Sequence, residues 1–296
     1  RSRRVNAPVN ARGEGHASAA GTESGGEPRR SPTALVLWFA SSILGTICGV
    51  GGGIFATPIL HYLVRLPLQL AVGTSLVLVF AMTVVATIVE FARADSALDW
   101  VVVGLLLVGS IPGAQVGYRF GTRIDAHTLK VLFIAVLLGA ALRTYTLHGA
   151  AGAGELGRAI ALDVPRVAWV IAVGFGGGFL APLLGVGGGI LVIPALFLTL
   201  PEMNYLEARA CSMAMSIVNS AQSVWLHVRG GTVHFKIAAP FTVLAVIGAL
   251  LGVWAVHRPG WAEVARVAMT VVLVLVALRF AWDVWALRRS SAETRS

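Results

Sequence analysis

The run Gly49-Val50-Gly51-Gly52-Gly53-Ile54-Phe55-Ala56-Thr57-Pro58-Ile59-Leu60 recurs as Gly185-Val186-Gly187-Gly188-Gly189-Ile190-Leu191-Val192-Ile193-Pro194-Ala195-Leu196, with eight of the twelve positions identical. Both copies lie inside apolar stretches. Three adjacent glycines hold a helix poorly, and at membrane depth the freed backbone groups must face protein or a water-filled site. Paired breaks at matching places in two halves point to a transporter's substrate site. The chemistry on offer is anion binding. The second part of a broken helix begins with unpaired N–H groups at the positive end of aligned peptide dipoles, worth roughly half a charge. No arginine or lysine lies within either motif, and backbone donors need none at a depth where a cation is expensive. Gly51, Gly52, Gly53, Gly187, Gly188 and Gly189 are therefore candidate substrate ligands. The competing reading is that the glycines only let helices pack closely.

Side chains that could join them come from the span after each break. Ser212, Ser216, Asn219 and Ser223 follow one another at intervals of four, three and four residues, a polar stripe on one helical face. Such a stripe needs a wet or polar neighbour, although Ser and Thr also bond back to their own helix. Thr83, Thr87 and Glu90 form a shorter equivalent in the first half, with Thr74 and Ser75 nearer its start. Thr74, Ser75, Ser212, Ser216 and Asn219 are the side-chain candidates, Asn219 foremost because its amide is costly to leave unpaired in lipid. Pro58 and Pro194 are expected at the first position of the helix after each break, with Thr57 as an N-cap in the first half. Glu90, close to Arg93, is expected at a solvated interface rather than as a proton carrier, and His61 likewise.

The elements that position these residues follow from composition. The chain is 56% hydrophobic and 12% charged over 296 residues, and apolar stretches of about 20 residues, long enough to span a bilayer, recur. Two short stretches, 34 to 49 and 54 to 64, flank the first break, and spans are expected at 69 to 92, 100 to 119 and 127 to 147. The second half repeats the plan with 166 to 185 and 190 to 200 around the break, then 207 to 228, 236 to 256 and 262 to 287. Thr74-Ser75-Leu76 aligns with Cys211-Ser212-Met213, and Gly113-Ala114-Gln115-Val116-Gly117 with Gly248-Ala249-Leu250-Leu251-Gly252, which supports an internal duplication. With three full crossings per half the second copy is inverted. The expected fold is thus all-α, a polytopic membrane helix bundle of two inverted repeats, each with a Gly-rich broken helix or hairpin plus three spanning helices. Its parts are a disordered cytoplasmic tail at 1–33, repeat 1 at 34–147, a linker at 148–165, repeat 2 at 166–287 and a cytoplasmic tail at 288–296.

The net charge of +9 is mostly arginine in the tail, loops and C-terminal end, which suits lipid headgroups and orientation signals better than nucleic acid. Arginine placement puts both termini in the cytoplasm. Cys48 and Cys211 are expected to be buried apolar residues rather than a disulfide. Gly109, Gly113, Gly117 and Gly121 give the third span a glycine face that meets either another helix of the chain or a second subunit, which would make a homodimer. Trp38, Trp100, Trp169, Trp225, Trp254 and Trp261 fall near span ends, as aromatic belts do. The glycine motif lacks the Lys-Ser/Thr ending of a P-loop, and no His-Glu-x-x-His or paired-Cys spacing occurs, so neither an enzyme, a metal nor a cofactor is expected.

A glycine-rich break followed by Pro in both halves, then a Thr-Ser or Cys-Ser start to the next span, resembles the sulfite exporter TauE/SafE family over about residues 34 to 287. The resemblance implies a multi-pass permease of the bacterial inner membrane for small anions, sulfite or organosulfonates among them. Alternating access would carry substrate past the paired breaks. An anion channel, or a carrier of another small anion or metabolite, is the alternative.

Overall fold

A computed structural model of the chain describes residues 32–93, 96–121, 163–200 and 202–258, with isolated positions between 134 and 142 and between 260 and 282. The expected tail up to residue 31, the linker up to residue 162, the tail at 288–296, most of the span at 127 to 147 and most of that at 262 to 287 lie outside the described residues; helices already begin at Pro32 and Val164, inside the expected first tail and linker. Every regular element among those described is a helix. In chain order they are α1 (Pro32–Ile47), α2 (Gly53–Pro58), which runs on into a π-helical turn over Ile59–Leu63, α3 (Leu68–Phe91), α4 (Trp100–Gly121), α5 (Val164–Leu184), α6 (Gly189–Thr199), α7 (Tyr205–Arg229) and α8 (Phe235–Val256).

Four of these, Leu68–Phe91, Trp100–Phe120, Val164–Leu184 and Phe235–Val256, are long and apolar enough to cross a membrane. Val36, Leu37, Ile88, Phe91, Val101, Val108, Trp169 and Val243 stand exposed on the outer surface, where a bilayer would cover apolar area that water would not tolerate. α7 differs. It is 25 residues long, roughly 37 Å at the usual helical rise, but its polar stripe makes it unsuited to lipid. It lies inside the bundle against α3, α4, α5 and α6, and Ser212, Ser216, Asn219, Ser220 and Ser223 are all buried. Its start is fixed by a capping box, in which Asn204 Oδ1 accepts from Leu206 N at 3.1 Å and Glu207 Oε2 from Asn204 N at 2.9 Å.

The halves interlock by exchange. α4, the last described helix of the first half, packs along α5, the first of the second, and α8 packs along α1. Glycines set both approaches. A Cβ on Gly109, Gly113 or Gly117 would collide with the carbonyls of Ile171, Phe175 or Phe179, and one on Gly174 or Gly178 with those of Leu106 or Ser110. Contacts advance in step along both helices, so α4 and α5 run parallel with backbones touching. Gly248 and Gly252 instead leave room for the Ser42 and Thr46 side chains of α1. The glycine face of α4 thus meets a helix of the same chain. α3 and α7 run antiparallel at the centre, with Glu90 beside Arg209 at one end and Gly73 beside His227 at the other.

Two expectations about aromatic and thiol residues divide. Trp100, Trp169, Trp225, Trp254 and Trp261 are exposed, but Trp38 is fully buried. Its indole Nε1 donates to the Phe241 carbonyl at 2.8 Å, so it ties α1 to α8 instead of joining a belt. Cys48 and Cys211 are buried in the core and are not joined in a disulfide.

Candidate functional site

Each glycine motif takes the same backbone path. Gly49, Gly51 and Gly52 have φ of 72°, 72° and 68°, and Gly185, Gly187 and Gly188 have φ of 71°, 73° and 87°. Side chains rarely adopt this left-handed region, which is why three of every five motif positions must be glycine. Gly52 and Gly188 are the N-caps of α2 and α6. Gly53 and Gly189 are already helical and are glycine for a different reason, close approach: a Cβ on Gly53 would strike the Gly185 carbonyl, and one on Gly189 would lie 2.9 Å from the Gly49 carbonyl. The two breaks therefore touch. All six candidate glycines are buried.

Serines from the following spans hold this junction. Ser75 Oγ donates to the Gly185 carbonyl at 3.2 Å, and also to Val72 O at 2.8 Å. Ser212 Oγ lies 3.4 Å from both the Gly49 and the Gly189 carbonyls. Asn219 Nδ2 donates to the Gly187 carbonyl at 3.4 Å. The structure brings Ser75, Ser212, Ser216 and Asn219 together with the breaks. The Ser216 hydroxyl, Asn219 Oδ1 and the Ser223 hydroxyl, all buried, have no hydrogen-bond partner among the described residues. A row of such atoms along one face of α7 is costly unless something polar visits it.

Other expected residues sit elsewhere. Thr74 is not at the breaks: its hydroxyl accepts from His234 N at 3.0 Å, at the start of α8. Thr83 bonds back to Val79 O at 2.9 Å within its own helix. Thr57 is no N-cap. It lies inside α2, where its hydroxyl bonds Ser75 Oγ at 2.9 Å and the last carbonyl of α5, Leu184 O, at 3.2 Å. Pro58 ends α2 and Pro194 lies within α6, because the helices begin at the final glycine and not at the proline. His61 Nδ1 donates to Leu66 O at 2.8 Å and ties off the π-helical turn.

Glu90 is the largest correction. It is buried, not solvated, and its carboxylate is shared by Arg209 and His257. Arg209 went unnoticed because it precedes the polar stripe on α7, yet a lone arginine three residues before Ser212 in a membrane helix is a signal in its own right. Its stem lies against Gly49, with Cγ 2.6 Å from where a Cβ would be, and its Nη1 donates to the Thr46 carbonyl at 3.4 Å. Tyr205 Oη donates to Ile47 O at 3.2 Å beside it. The loose carbonyls where α1 ends before the break are thus closed by side chains from α7.

A family model described as "Sulfite exporter TauE/SafE" matches residues 5–144 and 170–296. The chain belongs to the TauE/SafE family. It is a multi-pass membrane transporter of that family, and relatives carry names of the same kind. It is 25% identical over 270 residues to the probable membrane transporter protein YunE of Bacillus subtilis, covering 84% of this chain and 96% of that one. It is 28% identical over 248 residues to a probable membrane transporter protein of Xylella fastidiosa, covering 81% and 90%. A probable membrane transporter protein of Methanocaldococcus jannaschii is 29% identical over 196 residues, covering 63% and 67%. No solved structure matches the chain. In this family member the two glycine breaks meet in a buried contact bordered by α3 and α7.

Proposed function

We propose that this TauE/SafE chain is a secondary carrier of small anions, sulfite or organosulfonates, working by alternating access at the junction of the two breaks. The observation that carries the reading is the row of unpartnered buried atoms, Ser216 Oγ, Asn219 Oδ1 and Ser223 Oγ, on the helix that borders the second break. Gly187 and Gly189 approach Ser216 closely enough that a Cβ on either would lie 3.7 and 3.4 Å from its hydroxyl. The N–H groups of Gly53 and Ile54, and of Gly189 and Ile190, open their helices ahead of any helical carbonyl that could accept them, whereas those of Phe55 and Leu191 already donate to the Gly52 and Gly188 carbonyls at 3.0 and 3.4 Å. The Ser216 and Ser223 hydroxyls and these opening N–H groups are donors that suit a tetrahedral or pyramidal oxyanion, Asn219 Oδ1, which only accepts, suits its water or a protonated oxygen, and the family's description supplies the sulfur. Gly51 to Gly53 and Gly187 to Gly189 would contribute backbone donors, with Ser75, Ser212, Ser216 and Asn219 as side-chain partners.

The antiparallel course of α3 and α7, which occupy equivalent places in the two halves, supports an inverted duplication, since a two-fold axis across these helices exchanges them. So does the swap of α4 with α8 and α5 with α1 in the packing. Arginine placement and the relatives in bacteria support placing the protein in the bacterial inner membrane with both termini in the cytoplasm. The test is flux by the purified protein in liposomes against sulfite, sulfonates, sulfate and carboxylates. Saturable movement of the sulfur anions is expected. Saturable movement of carboxylates alone would refute the substrate class, and large unitary currents would make the protein a channel.

A further inference from the structure

A buried charge cluster lies where the end of α3 meets the start of α7 and the end of α8. Glu90 Oε2 accepts from Arg209 Nη2, and Glu90 Oε1 faces His257 Nε2 at 3.1 Å. The three side chains are 2%, 1% and 6% exposed in that order. Arg209 Nε finds no acceptor among the described residues, and the stem of the same side chain rests on Gly49 of the first break.

The hydrogen bonds themselves count the protons. His257 Nδ1 is 2.9 Å from the Val253 carbonyl, which can only accept, so Nδ1 carries a hydrogen. A neutral ring then bears a lone pair on Nε2, and that nitrogen faces a carboxylate oxygen. A proton must sit between them, held either by an imidazolium or by a carboxylic acid. Arg209 stays charged throughout. With the proton in place the trio carries a net positive charge in either microstate. Without it the trio is neutral, but two lone pairs meet at 3.1 Å.

Among the described residues, the two other carboxylates on this side are each engaged at a helix start. Glu207 Oε2 accepts the Asn204 N–H at 2.9 Å, and Asp99 Oδ1 accepts those of Val101 and Val102 at 2.9 and 3.1 Å. Each of these carboxylates already answers the positive start of a helix. α1 brings no ionisable side chain. Arg93 follows α3, and Arg258, after His257, stacks over Trp254 at 4.1 Å, so both add to the positive side.

We propose that Glu90, His257 and Arg209 form a proton site that couples anion movement to proton movement in the same direction. This rests on the anion-carrier reading above. As the His257 Nε2–H bond breaks and a Glu90 Oε1–H bond forms, the imidazolium becomes neutral and the carboxylate becomes an acid. Arg209 loses its anionic partner, and its guanidinium, which donates from Nη1 to the Thr46 carbonyl just before the first break, takes the substrate anion in place of Glu90. The proton reaches His257 Nε2 from the side that presents the anion; when the anion leaves, the Glu90 Oε1–H bond breaks, the proton passes back to Nε2 and out to the side that receives the anion, and Glu90 reclaims Arg209. A net charge held in the protein interior is expensive, so the proton and the anion favour each other's presence.

The experiment uses the full chain in liposomes loaded with the pH dye pyranine, with sulfite and methanesulfonate as probes. Methanesulfonate stays a monoanion over the working range, so a pH effect on its flux belongs to the protein. An inward methanesulfonate gradient at equal pH should acidify the lumen in step with uptake. A pH step of one unit, acid outside, should raise its steady-state accumulation about tenfold. Glu90→Gln should abolish both effects, and His257→Gln should slow the proton signal. Anion flux without proton movement in the wild type overturns the proton site and leaves the anion carrier standing. Flux of neither probe overturns the anion reading and the coupling with it. The wild-type measurement decides even where a variant does not fold. If Glu90→Gln is well folded and still accumulates methanesulfonate under the pH step, the assignment to Glu90 is wrong.

Discussion

Ser75 and Ser212 stand at corresponding points of α3 and α7, and each donates to the first glycine carbonyl of the other half's motif: Ser75 to Gly185 at 3.2 Å and Ser212 to Gly49 at 3.4 Å. This exchange locks the two breaks to each other. The first carbonyl of each motif thus finds a donor in the other half, while the Gly187 carbonyl takes one from Asn219 of its own.

Because the two bonds brace one junction, their loss should not be additive. Ser75→Ala and Ser212→Ala should each destabilise the detergent-solubilised protein by about 1 kcal/mol, and the double variant should depart from the sum by at least about 0.5 kcal/mol. Thermal unfolding of the four proteins measures this. Strict additivity would mean that the breaks are held independently.

Gly52 and Gly188 share a left-handed backbone but not their surroundings. Alanine at either should cost about 1–2 kcal/mol for the backbone alone. At Gly188 the new methyl also meets the Gly177 carbonyl, whereas at Gly52 it meets the flexible end of Met82. Gly188→Ala should therefore lower stability and folded yield more than Gly52→Ala. Equal losses would show that the backbone term outweighs the contacts.

Along α4, Gly113 and Gly104 make a matched pair. Gly113→Ala drives a methyl into the Phe175 carbonyl and should destabilise by about 1–3 kcal/mol. Gly104 has nothing within 4 Å of an added Cβ, so Gly104→Ala should be neutral or stabilise by up to about 1 kcal/mol through helix propensity. The check is the order of melting temperatures, with Gly113→Ala lowest.

Asn219→Leu removes a bond to the Gly187 carbonyl and an unpartnered Oδ1. A site role predicts weaker sulfite binding by a protein that elutes and melts like the wild type. Wild-type affinity in a well-folded variant would assign Asn219 to packing.

Removing one member of the buried ion pair should be worse than removing both. Arg209→Met leaves Glu90 buried without its cation and should cost about 3–5 kcal/mol, much of it recovered in the Glu90→Leu, Arg209→Met double variant. Folded yield and melting temperature report stability. Transport should be lost in both variants, since the double one restores packing without the charges.

Glycine conformation is local, and so the sequence by itself determined the breaks: no side chain between Gly49 and Gly53 favours a helix, and the identical second copy takes the identical path. The helices around them were equally legible, because apolar length and flanking turns are properties of consecutive residues. Contacts between segments distant in the chain were settled only by tertiary structure. Glu90 read as an interface residue because its nearest charge in sequence is Arg93, but its partners are Arg209 and His257, 119 and 167 residues away. Thr57 resembled a cap because it precedes a proline, yet the helix starts at Gly53 and the hydroxyl turns to Ser75. Thr74 and Ser75 were indistinguishable as neighbours, while a helical turn of about 100° per residue sends one to α8 and the other to the breaks. What decided these cases was the antiparallel meeting of α3 and α7. It sets Glu90, near the end of one helix, against Arg209, near the start of the other, and a buried charge settles only where folding brings it a partner.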